Sequence, residues 1–209
     1  MKLHYFNFYG RAESVRMLLH HAKVPFTECP ITYQDWPKIK SSGLCEFEQI
    51  PVLETDGKRL TQNKAILRYL GVQHGYTPKD PYQAYLCDSM LDSIDDVSPH
   101  FVIARKETDP RLQAAYYEKI FTQVFPRWCA AVEKRLQQNV TRKFLVGEAL
   151  TIADFAFAGR HFAIVKNPQS TVGENLQKIY NQHEGLKEYE ASLEQELRPY
   201  LEKRPQYPF

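Results

Sequence analysis

The sequence predicts a mixed α/β domain followed by an all-α domain, and three observations predict it. Short apolar runs alternate with helical patterns over residues 1–75. The stretch Gly75-Tyr-Thr-Pro-Lys-Asp-Pro81 has the Gly/Pro density of a connection. Beyond it, apolar residues recur at helical spacing. The predicted boundaries are 1–75 for the first domain, 76–81 for the linker and 82–209 for the helical domain. A chain of 209 residues is long enough for each part to bury a core.

Each element has a local reason. Lys2–Phe6 is a short apolar run that stops at Gly10-Arg11-Ala12-Glu13, so it reads as a strand ending in a turn. Arg11–Ala22 reads as a helix, with Val15, Leu18, Leu19 and Ala22 on one face. Phe26–Ile31 returns as a strand, and Gln34–Ser42 as a short, irregular helix. Pro51–Leu60 reads as a hairpin whose Asp56-Gly57 pair supplies the positive-φ turn. Gln62–His74 is a helix packing through Ala65, Ile66, Tyr69 and Leu70.

In the second part, Leu86, Met90, Ile94, Val97 and Phe101 stripe a helix over residues 82–106. Arg111–Gln138 reads as one long helix with a bend expected at Pro126. Thr151-Ile-Ala-Asp154 follows Val146-Gly147 and opens an apolar helix, Phe155–Val165, with a variant of the capping box.

Composition narrows the function classes. A net charge of +2 gives no strong electrostatic footprint for nucleic acid, and none is expected as a partner. Residues 1–75 hold 10 basic against 7 acidic side chains, a mild bias that suits a small anionic ligand as well as chance. Cys29, Cys45, Cys87 and Cys129 form no CxxC pair, which argues against a redox dithiol or a zinc ribbon. With no signal-peptide pattern and no long apolar run, the expectation is a cytoplasmic protein with free thiols and no membrane partner.

Several residues admit a structural reading and a chemical one. Tyr5 ends the first strand, where it either packs or offers its hydroxyl to the turn. Pro51 marks the start of an edge strand, or follows a cis bond that turns the backbone of Ile50 toward an extended peptide. Gln62-Asn63 caps the next helix, or seats an anion on its free N–H groups. Trp36 and Lys40 share a helical face, either as core and solvated charge or, with Arg11, as a carboxylate holder.

In this order and spacing, Tyr5-Phe6…Gly10-Arg11-Ala12-Glu13, Asp35-Trp36-Pro37…Lys40, Gln49-Ile50-Pro51-Val52-Leu53, Asp56-Gly57 and Gln62…Ala65-Ile66…Tyr69-Leu70 resemble the cytosolic glutathione transferases. The likeness continues through Val146-Gly147…Thr151-Ile-Ala-Asp154-Phe155 to Lys203-Arg204-Pro205, essentially the whole chain. The resemblance implies a thioredoxin-like N-terminal domain, a helical C-terminal domain and reduced glutathione as co-substrate. It makes Tyr5 the catalytic residue of a tyrosine-type enzyme; Ser14 lies a turn inside the first helix and is not expected to replace it. A free thiol has a pKa near ~8.5, so a neutral phenol that donates to the thiolate raises its population at neutral pH.

The same resemblance distributes glutathione over the site. Ile50 pairs with the cysteinyl unit beside Pro51, Trp36 and Lys40 hold the glycine carboxylate, and Gln62 and Asn63 hold the γ-glutamyl end. Arg11, Phe6 and Gln49 complete the set. Asn63 departs from the Ser or Thr usual there; its amide is expected to donate to the carboxylate instead, with reduced affinity. Asp96 matches the acid that reaches across a homodimer interface, and Phe47 matches the aromatic key of the alpha, mu and pi classes.

The class implied is sigma-like with alpha/mu-like features. Asn7, Asp35-Trp36-Pro37 and the Asp92–Asp96 run resemble the sigma-class hematopoietic-type prostaglandin D synthases, whereas Phe125-Pro126 resembles the alpha class. Asp92, Asp95 and Asp96 match an acidic cluster that can seat a divalent metal in those synthases, although no metal is expected here. Phe8, Tyr9, Phe101 and Ile103 are the expected apolar surface for a second substrate.

The function expected is conjugation of glutathione to apolar electrophiles, with peroxide reduction as an extension. The alternatives are a prostaglandin-type isomerase, against which Ile103 counts because those synthases carry tryptophan near that point, and a non-catalytic binding or structural protein.

Overall fold

The computed structural model describes residues 1–207. Its N-terminal part is a four-stranded sheet with helices, built from β1 (Lys2–Phe6), α1 (Glu13–His21), β2 (Thr27–Ile31), α2 (Trp36–Lys40), β3 (Val52–Thr55), β4 (Lys58–Thr61) and α3 (Asn63–His74). The strand order is β2-β1-β3-β4, with β1 parallel to β2 and the other pairs antiparallel. The alternating pattern predicts such a mixed sheet with helices, and the arrangement is the thioredoxin-like one that the resemblance implies.

Register follows the pleat. Leu3 pairs with Leu53 and is fully buried, and Tyr5, two residues on, points to the same face. Val15, Leu18, Leu19 and Leu67 close over that face from α1 and α3. Asp56 (φ 49°) and Gly57 (φ 73°) make the β3–β4 turn, matching the hairpin reading. Pro30 is tolerated because β2 is an edge strand.

Pro51 does not start an edge strand, because β3 lies inside the sheet between β1 and β4. The Ile50-Pro51 peptide is cis. Of the features the two readings rest on, the structure has the cis bond and not the edge strand.

The remainder is helical: α4 (Pro81–Lys106), α5 (Pro110–Lys119), α6 (Phe125–Gln138), α7 (Ile152–Arg160), α8 (Gly173–Tyr180) and α9 (Glu184–Leu201). Residues 110–138 are not one regular helix. A π turn, Ile120–Val124, separates α5 from α6 just ahead of Pro126, whose missing N–H prevents an ordinary helical bond there. A second π turn, His161–Val165, extends α7. No helix among the described residues is long and apolar enough to cross a membrane.

The halves are joined along α1 and α7. Gly159 makes the approach possible: a Cβ there would lie 2.6 Å from the backbone nitrogen of Ser14. The capping box is present, and Asp154 does more than cap. Fully buried, it accepts from the backbone N–H groups of Thr151 (2.8 Å) and Leu145 (2.9 Å), the Thr151 hydroxyl (2.9 Å) and the Tyr189 hydroxyl (2.7 Å). One carboxylate thus fixes α7, the loop before it and α9.

The segment after α9 returns to the first domain. Arg204 donates to Glu13 (2.7 Å) and to the Phe162 carbonyl (2.9 Å), and its guanidinium lies 4.2 Å from the Tyr9 ring centroid. The Lys203-Arg204-Pro205 motif therefore locks the end of the helical domain onto the start of the chain.

Candidate active site

Tyr5 stands at the C-terminal end of β1, where Gly10 turns the chain with φ +44°. The turn aims the backbone N–H of Arg11 at the Tyr5 hydroxyl oxygen, 2.9 Å away. Burial pushes the Tyr5 phenol up from its ordinary pKa, against the Arg11 N–H bond and the nearby Arg160, Arg11 and Arg16 charges. The phenol stays neutral at physiological pH. Its oxygen accepts from Arg11, which leaves the O–H proton to be donated.

In front of Tyr5 lies a cavity of about 400 Å³ between the two domains. Tyr5, Phe8, Phe101 and Ile103 line it, together with Ile94 and Trp128. The structure therefore brings together three of the four residues expected to form an apolar surface. Tyr9 is the exception. It is 1% exposed, its hydroxyl donates to the Pro205 carbonyl (2.9 Å), and it packs against Tyr207 and Arg204, so it belongs to the clamp on the C-terminal segment.

Two smaller polar depressions adjoin this cavity, and Arg11 borders all three. One, of about 80 Å³, is lined by Arg11, Gln62, Asn63, Lys64, Asp95 and Arg160. The other is lined by Phe47, Gln49, Ile50, Pro51 and Gln62 along with Arg11. Gln62 adopts φ 66°, a strained backbone for a non-glycine residue, and its amide donates to Gln49 (3.3 Å). The α3 N-terminus that follows carries no side-chain cap, so its first N–H groups are open to an anion.

Asn63 behaves differently from the expectation. Its amide nitrogen donates to the Arg11 carbonyl (2.5 Å) and the Ser14 hydroxyl (3.0 Å), using both N–H groups within the protein. The side chain braces α3 against the turn at Arg11, and the backbone N–H groups are left to meet an anion.

Trp36 and Lys40 border none of these three cavities. Trp36 stands edge-on to Phe6, with ring centroids 5.6 Å apart, and Phe6 also stacks on Phe8 and Tyr33. Lys40 pairs with Glu48 at 3.1 Å.

The acidic stripe of α4 is largely partnered from α3. Lys64 bonds Asp92 (2.9 Å) and Asp95 (2.7 Å), and Arg68 bonds Asp88 (2.6 Å). The Lys64 bond holds the Asp92 carboxyl below its usual pKa. Asp96 alone of the stripe is exposed and without an ion pair among the described residues. No cluster of three or more metal-ligating side chains occurs among the described residues. Phe47 is 55% exposed on its loop.

Arg160 was not anticipated, nor were the aromatic floor residues Phe125 and Trp128. A signal for Arg160 existed: with its neighbour His161 it interrupts the largely apolar run from Phe155 to Val165. For the aromatics there was none, because the π turns that aim residues at the cavity leave no periodic signature.

Comparison with known proteins agrees with this architecture. Residues 1–71 match the family model for the glutathione S-transferase N-terminal domain, and residues 95–204 match that for a C-terminal domain of the same family. Hematopoietic prostaglandin D synthase of Gallus gallus is 35% identical over 155 residues, covering 74% of each chain. Glutathione S-transferase A1 of Homo sapiens is 37% identical over 158 residues, covering 73% of this chain and 68% of that protein. Among solved structures, prostaglandin synthase D of Nilaparvata lugens superposes with a TM-score of 0.83 at 26% identity, covering 98% of both chains.

Proposed function

Because the chain belongs to the glutathione S-transferase family, we propose that it conjugates reduced glutathione to apolar electrophiles, with Tyr5 holding the thiolate. One observation carries this reading: a buried, neutral phenol has its oxygen engaged by Arg11 and its proton free at the mouth of an apolar cavity. In that position the O–H donates to a thiolate sulfur and favours it over the thiol. Phe8, Phe101 and Ile103 then receive the electrophile.

The two polar depressions suit the tripeptide. The uncapped α3 N-terminus at Gln62 and Asn63 takes the γ-glutamyl carboxylate and Ile50 pairs with the cysteinyl backbone. The glycine carboxylate is assigned to Trp36 and Lys40, which lie outside both depressions. The Lys40–Glu48 pair must open or share its charge for that contact.

The working unit in this reading is a cytoplasmic homodimer of sigma-like class with domains at 1–75 and 82–209. Exposed Phe47 supplies the key, and unpaired Asp96 reaches the partner's γ-glutamyl ammonium. Light scattering tests it: Phe47→Ala shifts the protein from dimer to monomer, whereas a wild-type monomer removes this part of the proposal.

Turnover of chlorodinitrobenzene with glutathione is the direct test. A wild type that binds glutathione but turns over no electrophile rejects conjugation. Likeness to the Gallus gallus prostaglandin D synthase supports a second reading, isomerisation of a prostaglandin-type endoperoxide in the same cavity. Faster turnover of the endoperoxide than of any conjugation substrate would favour it.

A further inference from the structure

Arg160 stands at the junction of the apolar cavity and the smaller polar depression and borders both. It lies at the end of α7, just past the close approach of Gly159 to Ser14, so its backbone is fixed by the domain interface. The side chain forms no hydrogen bond or ion pair among the described residues, whereas Arg16 on α1 and Arg68 on α3 each bond a carboxylate. Its electrostatic neighbours are Tyr5 and Asp95, which favour the charge, and Arg11 and Arg105, which oppose it. Burial disfavours that charge most of all. Arg160 is half-buried, and a partly desolvated guanidinium without a bonded partner is costly unless an anion or developing negative charge meets it.

The place of that charge follows from Tyr5. Arg160 shares the cavity with Tyr5 and acts electrostatically on it, so a group on the guanidinium lies near the proposed sulfur. It also lies on the electrophile's side, among Ile94 and Ile164. We propose that Arg160 is a catalytic residue for electrophiles bearing a conjugated carbonyl, donating to the carbonyl oxygen and stabilising the enolate formed when the thiolate adds. The proposal rests on the conjugation reading and names a substrate class within it.

The step balances without a further reactant. The sulfur lone pair forms the S–C bond to the β-carbon, the C=C pair shifts to the Cα–C bond, and the carbonyl pair moves onto oxygen beside Arg160. The α-carbon then takes a proton from water, replacing the one that the thiol released to solvent. Two parallel N–H groups of a guanidinium suit an enolate oxygen, and the apolar walls strengthen the contact. A displacement at an alkyl halide places no charge on such an oxygen and gains nothing from it.

The experiment compares an apolar enone with a benzyl halide of similar bulk, using wild type, Arg160→Met and Arg160→Lys. Thermal unfolding and glutathione KM are measured for each. Arg160→Met is expected to lower kcat for the enone about 10²-fold more than kcat for the halide. Arg160→Lys is expected to recover part of the enone loss. Equal losses with both substrates, or a rise in glutathione KM that accounts for the change, overturn the proposal and leave conjugation intact. Wild type that binds glutathione and turns over neither substrate overturns conjugation and this inference together.

Discussion

The backbone N–H of Arg11 donates to the Tyr5 hydroxyl at 2.9 Å and so decides which way the phenol works. With the oxygen already an acceptor and burial keeping the phenol protonated, the side chain is available as a donor and not as a base. Tyr5→Phe should therefore preserve the fold and glutathione binding while lowering kcat about 10²-fold. The bound thiol should titrate ~1–2 pH units higher, toward its free value near ~8.5. Ultraviolet titration of the thiolate checks this, and an unchanged titration would assign the thiolate to another donor.

Gly10 matters for the same bond. A Cβ at this position would lie 2.5 Å from the Tyr5 hydroxyl and 2.5 Å from the Phe8 ring, on a backbone with φ +44° that disfavours side chains. Gly10→Ala should cost about 1–3 kcal/mol of stability and displace the phenol. Misplacing a catalytic group by about 1 Å costs on the order of 10²-fold in rate, so kcat should fall with little change in overall helicity. Steady-state kinetics and urea unfolding measure the two effects separately.

These two residues also mark what the sequence made legible. Tyr5 and Gly10 were readable because a strand end and a turn glycine have local signatures, as do the Asp56-Gly57 hairpin and the Thr151–Asp154 cap. Pro51 was ambiguous until the strand order put β3 inside the sheet, a non-local fact. Tyr9 was misread because strand-adjacent aromatics look alike in sequence, and only the return of Arg204 and Pro205 shows that this one is clamped. The partners of Asp88, Asp92 and Asp95 sit on α3, 20 or more positions away in each case, so helical spacing along α4 does not reveal them. Arg160 needed the packing of two domains to become part of a site.

Acid stability should depend on Glu190. Burial alone would raise its carboxyl, but the His161 contact (2.5 Å) and the Lys166 contact (2.9 Å) outweigh burial and hold its pKa at about 2. A carboxyl held below its unfolded value contributes stability above that value, and loses it as pH falls from ~4.3 toward the folded pKa. Burial also lowers the His161 pKa, so charging that ring adds to the loss below ~6.5. Urea midpoints should fall steadily through this window in wild type. Glu190→Gln should be weaker at neutral pH and show a flatter slope below ~4.3; parallel slopes for the two proteins would contradict the assignment.

Asp154 predicts the largest loss of stability. Replacing it with Ala leaves the Leu145 and Thr151 N–H groups and the Tyr189 hydroxyl buried without their acceptor. Each such group costs about 1–3 kcal/mol, so a total of about 3–5 kcal/mol is expected after relaxation. Tyr189→Phe removes one donor and keeps the acceptor satisfied by the others, for about 1 kcal/mol. In the double variant the Tyr189 change should cost less than it does alone, because its partner is already gone. Chemical denaturation of the four proteins closes the cycle. Strict additivity would show that the 2.7 Å contact contributes nothing to holding α9 on α7.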